Sequence, residues 1–94
     1  MNHANLEDWS VIGLSVNPYK PPEQKVIHLM GRVYNHPRYE DGEDVLTSMV
    51  MHAEGREVIT LNTKYLLGKP HESYKDWYYR MSGQELNEDK PFPD

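Results

Sequence analysis

The chain has no cysteine, which excludes a disulfide framework, a thiol nucleophile and a thiolate zinc site. It has no apolar run long enough to cross a bilayer. Its polar opening, Met1-Asn2-His3-Ala4-Asn5, does not read as a signal peptide, so a cytoplasmic location is expected. There is no glycine-rich phosphate loop and no nucleophile elbow. A basic stripe is missing too. The formal charge is −5, and the excess lies at the ends, in Glu7 and Asp8 and in Glu85, Glu88, Asp89 and Asp94 against Lys90. The segment Trp9–Gly83 is balanced. Neither a DNA-binding surface nor a DNA mimic is expected from this distribution.

What remains is a chain of 94 residues, enough for one domain. At this size only about two-thirds of the unfolded surface can be buried. A core this thin favours association with a second copy, and a homo-oligomer is expected.

Alternation of apolar and polar residues marks strands over Trp9–Val16, with Ile12, Leu14 and Val16 on one face, and over Lys25–Tyr34, with Ile27, Leu29, Gly31 and Val33 on one face. Between them, Asn17–Glu23 carries Pro18, Pro21 and Pro22 and reads as a stiff loop. Asp41-Gly42 marks a turn. Val45–Ala53, Val58–Asn62 and Lys64–Leu67 read as further strands, with a hairpin turn at Glu54–Glu57. From Ser73 to Met81 the period changes. Tyr74, Trp77, Tyr78 and Met81 fall at helical spacing, with Ser73 as N-cap and Gly83 as stop. The expected fold is all-β: a small five-stranded meander or SH3-like barrel, with a two-sheet sandwich as the alternative, carrying one short C-terminal helix. Residues 1–8 are expected to be flexible and residues 84–94 to form a disordered acidic tail.

The densest polar group runs from Tyr34 through His36, Arg38 and Tyr39 to Thr47 and Ser48. Arg38 offers a planar fork suited to phosphate or carboxylate. The hydroxyls add donors, and tyrosine rings suit stacking on a base. Asn62 and Lys64, with Thr60 and Thr63, form a second group that would face the same ligand. A simpler alternative is that Arg38 pairs with Glu40 or Asp41 and braces the loop, and that Asn62-Thr63 is a hairpin turn. The five histidines have no spacing that fixes two metal ligands on one element, and Glu40–Asp44 lacks the ligand alternation of a calcium loop. No metal, cofactor or catalytic residue is assigned, and binding rather than catalysis is expected. Tyr74, Trp77 and Tyr78 are candidates for a protein interface, since Tyr and Trp anchor many interfaces.

Gly31-Arg32-Val33-Tyr34-Asn35-His36-Pro37-Arg38-Tyr39-Glu40-Asp41-Gly42, followed by Thr47-Ser48 and by Thr60 and Tyr65-Leu66-Leu67-Gly68, resembles a pattern in small, largely uncharacterised phage and prophage proteins. The resemblance spans roughly residues 9–80 and implies an origin in a mobile element. By analogy with phage accessory proteins of this size, it implies interference with host defence. The means would be sequestering a cyclic or linear nucleotide signal or blocking a host protein.

Overall fold

A computed structural model describes residues 2–13 and 26–92. The proline loop expected at Asn17–Glu23, and the part of the first expected strand beyond Gly13, lie outside the described residues. The elements are β1 (Asn2–Ile12), β2 (His28–Tyr34), β3 (Glu43–Leu46), β4 (Val50–Glu54), β5 (Glu57–Thr60), β6 (Thr63–Leu67) and α1 (Glu72–Ser82). The strands form one sheet in the order β3-β2-β1-β6-β5-β4. It is two antiparallel meanders, β1-β2-β3 and β4-β5-β6, joined along a parallel seam between β1 and β6. The all-β class and the single short helix agree with the sequence reading. Among the described residues the sheet has six strands rather than five and is open rather than a closed barrel.

The extra strand has a local cause. The apolar run Val45–Ala53 reads as one strand, but β3 pairs with β2 at one edge of the sheet and β4 pairs with β5 at the other. Only Thr47, Ser48 and Met49 join them. A link this short forces the sheet to curl until its two edges approach, and Val50 N–H donates to the Ile27 carbonyl at 2.7 Å where they meet. Thr47 fastens the bend. Its N–H donates to the Leu29 carbonyl at 2.8 Å, its hydroxyl oxygen accepts from Leu29 N–H at 2.9 Å, and the hydroxyl donates to the Ser48 carbonyl at 2.8 Å.

The N-terminal residues expected to be flexible form the first half of β1, in register with β6 from Asn2↔Thr63 to Leu6↔Leu67. Ala4 and Leu6 face the core. Asp8 then takes φ 50° within an irregularity between Glu7 and Ser10, so the inward positions resume at Trp9 and Val11. Of the face expected from alternation only Ile12 is described, and it is not buried: it is 42% exposed. Strand β2 has no such interruption, and Leu29 and Val33 are both fully buried, as its alternation predicts.

Trp9 is the centre of the core. It is fully buried, its indole N–H donates to the Gly68 carbonyl at 3.0 Å, and its carbonyl accepts from His71 N–H at 2.8 Å. These bonds tether the entry to α1, which lays Tyr74 against the indole at 5.9 Å between ring centroids. The N-cap is His71 rather than Ser73: its Nδ1 accepts from Ser73 N–H at 3.1 Å. Gly83 ends the helix at φ 73°, a left-handed conformation that costs glycine little.

The segment expected to be a disordered tail is docked as far as it is described. Pro91 is fully buried, and Leu86 and Phe92 pack against the core. Arg56 Nε donates to Asp89 Oδ1 at 2.8 Å and Lys75 lies 3.4 Å from Glu88. The acidic composition masks three apolar anchors spaced through it.

Candidate anion site

After β2 the chain turns at Asn35, which adopts φ 60°, and drives His36 inward until it is 8% exposed. The imidazole lies between Tyr39, 4.7 Å away by ring centroids, and Tyr65, at 6.1 Å. Its Nδ1 accepts from the backbone N–H of Arg38 at 3.0 Å. That assigns the proton to Nε2, which donates to the Thr63 hydroxyl at 3.4 Å. Burial, and secondarily the Arg38 guanidinium, hold the His36 pKa below its usual 6.5, so the ring is neutral near pH 7.

The loop's carboxylates are occupied with its own backbone. Asp41 Oδ1 accepts from Asn35 N–H at 2.8 Å, and Glu43 Oε2 accepts from Glu40 N–H at 3.2 Å. Among the described residues the Arg38 side chain makes no ion pair. The brace suggested for Arg38 with Glu40 or Asp41 is therefore not formed. Carboxylates do brace this loop, but through main-chain amides, and the guanidinium is left exposed.

On the facing side, the hydroxyl of Thr60 donates to the Thr63 carbonyl at 3.0 Å and accepts from Thr63 N–H at 3.3 Å. This closes the β5–β6 turn and presents Asn62. Together these segments enclose a cavity of about 110 Å³. His36, Arg38, Tyr39, Thr47, Ser48 and Asn62 line it, with Thr63 and Tyr65 at its base, Val45 and Leu46 as walls, and Asn2 contributed by β1. No aspartate or glutamate is among the described lining residues.

Two expected ligand residues are elsewhere. Lys64 alternates with the inward Thr63 and Tyr65, so it points to the other face, where it pairs with Glu57 at 3.2 Å. Tyr34 follows the inward Val33 and likewise leaves the cavity. Thr47 lines the site, but its hydroxyl is committed to Leu29 and Ser48, so it shapes the wall rather than donating to a ligand. Asn2 and Tyr65 are additions. Strict alternation from Thr63 points to Tyr65, whereas nothing in the local sequence ties Asn2 to the loop after β2.

A larger groove of about 870 Å³ runs along the outer face of β1–β3 beside the start of α1. Asp8, Asp44 and Glu72 line it, and its Arg32 is 3.6 Å from Asp44. That charge pattern is unsuited to an anion. Among the described residues no group of three or more His, Asp or Glu side chains is placed to hold a metal ion. Among the described residues no helix is long and apolar enough to cross a membrane.

The expected aromatic interface is only partly at the surface. Tyr74 belongs to the core: it is 5% exposed, its hydroxyl is buried with no hydrogen-bond partner, and burial raises its pKa well above 10. Tyr78 is half-buried against the core. Trp77 stacks on Tyr74 at 5.7 Å and remains 38% exposed. In comparisons with known proteins, the chain matches no family model, no curated protein and no solved structure.

Proposed function

We propose that this is a non-enzymatic, phage-type binding protein that interferes with host defence, in the host cytoplasm, by sequestering a phosphate-bearing nucleotide. The observation that carries the reading is the cavity between the loop after β2 and the β5–β6 turn. In a chain with 15 acidic residues, it is lined by no carboxylate among the described residues and is flanked by the Arg38 guanidinium, which makes no ion pair with them. Ser48 and Asn62 add neutral donors, and Tyr39, 42% exposed, offers a ring on which a base can stack. Binding rather than catalysis is supported by His36. Both of its ring nitrogens are engaged in structural hydrogen bonds, which leaves it poorly placed to activate Ser48 as a nucleophile.

A second reading, a protein that blocks a host protein or associates with a second copy, is favoured by the exposure of Trp77, Tyr79 and Met81 on α1. Calorimetric titration of the wild type and Arg38→Ala with linear and cyclic nucleotides separates the two. Nucleotide heat that is lost in Arg38→Ala, with folding unchanged, supports the first reading. Absence of heat from a well-folded wild type moves the second to the front.

A further inference from the structure

We infer, building on the reading of the cavity as an anion site, that it takes the singly charged phosphodiester of a small cyclic nucleotide in preference to a terminal phosphate. Charge is the first argument. Among the described lining residues Arg38 is the one permanent cation; the other polar groups there, including Ser48 and Asn62, are uncharged. His36 adds no second charge near neutral pH, because burial and Arg38 disfavour its protonation. One guanidinium balances one negative charge, and its fork matches the two non-bridging oxygens of a diester. A terminal phosphate, with a second pKa of about 6, carries nearly two charges at pH 7. Its second charge would be desolvated among neutral donors, at a cost.

Size is the second argument. Sites that enclose a whole small molecule occupy about 300–1,000 Å³, and this cavity, about 110 Å³, has room for the phosphate group and not for the nucleoside. The base must stay outside. Tyr39 is tilted 60° against His36, with ring centroids 4.7 Å apart, and is 42% exposed, so a base on its open side adds to an existing ring contact. The protein's charge of −5 also repels polyanions, which disfavours an oligonucleotide as the source of the diester.

The test is calorimetric titration of the full chain at low salt with matched pairs: adenosine and guanosine 3′,5′-cyclic monophosphates, the corresponding 5′-monophosphates, and a short oligothymidylate. At pH 8 at least one cyclic diester should bind roughly tenfold or more tightly than its monophosphate, a gap of about 1.4 kcal/mol. The gap should narrow at pH 5.5, where the monophosphate loses its second charge. Tyr39→Leu should weaken the diester several-fold, and Arg38→Ala should abolish it. A monophosphate that binds as well or better at pH 8 overturns the diester preference while leaving the anion site standing. An oligothymidylate that outcompetes the cyclic forms leaves the diester preference standing and overturns the small cyclic nucleotide as its source. No binding of any probe at millimolar concentration overturns the anion site itself.

Discussion

The backbone N–H of Arg38 donates to Nδ1 of His36 at 3.0 Å. This one bond anchors the main chain of Arg38 to a buried ring while its side chain stays exposed. It also fixes the tautomer through which His36 reaches Thr63 on β6. The loop after β2 is thereby tied to the opposite side of the cavity, and stability and site geometry share one histidine.

Stability should consequently depend on the ionisation of His36. Its folded pKa is lowered below 6.5, so folding favours the neutral ring. This contribution is fully present above pH 6.5 and is lost as pH falls through 6.5 toward the folded pKa. Urea unfolding between pH 8 and pH 5 should show the wild type losing more stability on acidification than His36→Gln. Parallel curves for the two would remove His36 as the source.

Thr47 holds the bend between β3 and β4 and leaves Leu29 N–H without its hydroxyl partner when replaced by valine. Thr47→Val should cost about 1–3 kcal/mol, the usual penalty for a buried unsatisfied donor. Thr47→Ser should be close to neutral. Equal unfolding midpoints for Thr47→Val and the wild type would show that the hydroxyl bond is not what holds the bend.

Gly31 lies where a Cβ would come within 2.8 Å of the Glu7 carbonyl and 3.0 Å of the Leu6 side chain. Because one neighbour is backbone and the other a fully buried core residue, Gly31→Ala should destabilise by about 1–3 kcal/mol through overpacking. A thermal midpoint unchanged by Gly31→Ala would contradict this close approach of β2 to β1.

Removing residues 84–94 exposes the surface covered by Leu86, Pro91 and Phe92. A loss of about 1 kcal/mol lowers the midpoint of a domain this size by roughly 4–8 °C, and the truncated chain should melt at least that much lower. A truncated chain melting with the full one would show that these apolar contacts add nothing.

Legibility in the sequence followed the regularity of each element. The unbroken alternation of β2 puts Leu29 and Val33 on the buried face in sequence and structure alike. In β1 the positive φ of Asp8 resets the alternation between Leu6 and Trp9, so a period-two reading selects Ile12 instead. The Tyr74–Met81 spacing marks a helix, but only Tyr74 of that stripe is buried, because α1 touches the sheet chiefly through Trp9. Half of the cavity was legible because His36, Arg38 and Tyr39 sit in one loop. The rest depends on which strands become neighbours. The parallel seam that brings Asn2 to Thr63 has no local signature, and the outward turn of Lys64 follows from the inward packing of Tyr65.

The central claim is that the cavity beside Arg38 binds an anionic nucleotide. Titration of nucleotides into the wild type and Arg38→Ala, with melting curves for both, tests it most directly. A charge-assisted bond to phosphate is worth about 1.5–3 kcal/mol, and among the described residues Arg38 makes no ion pair that its removal would break. Binding to the wild type should therefore be salt-sensitive, affinity should fall at least about tenfold in Arg38→Ala, and melting should be unchanged. Nucleotide affinity that survives Arg38→Ala, or a well-folded wild type that binds none, would contradict it.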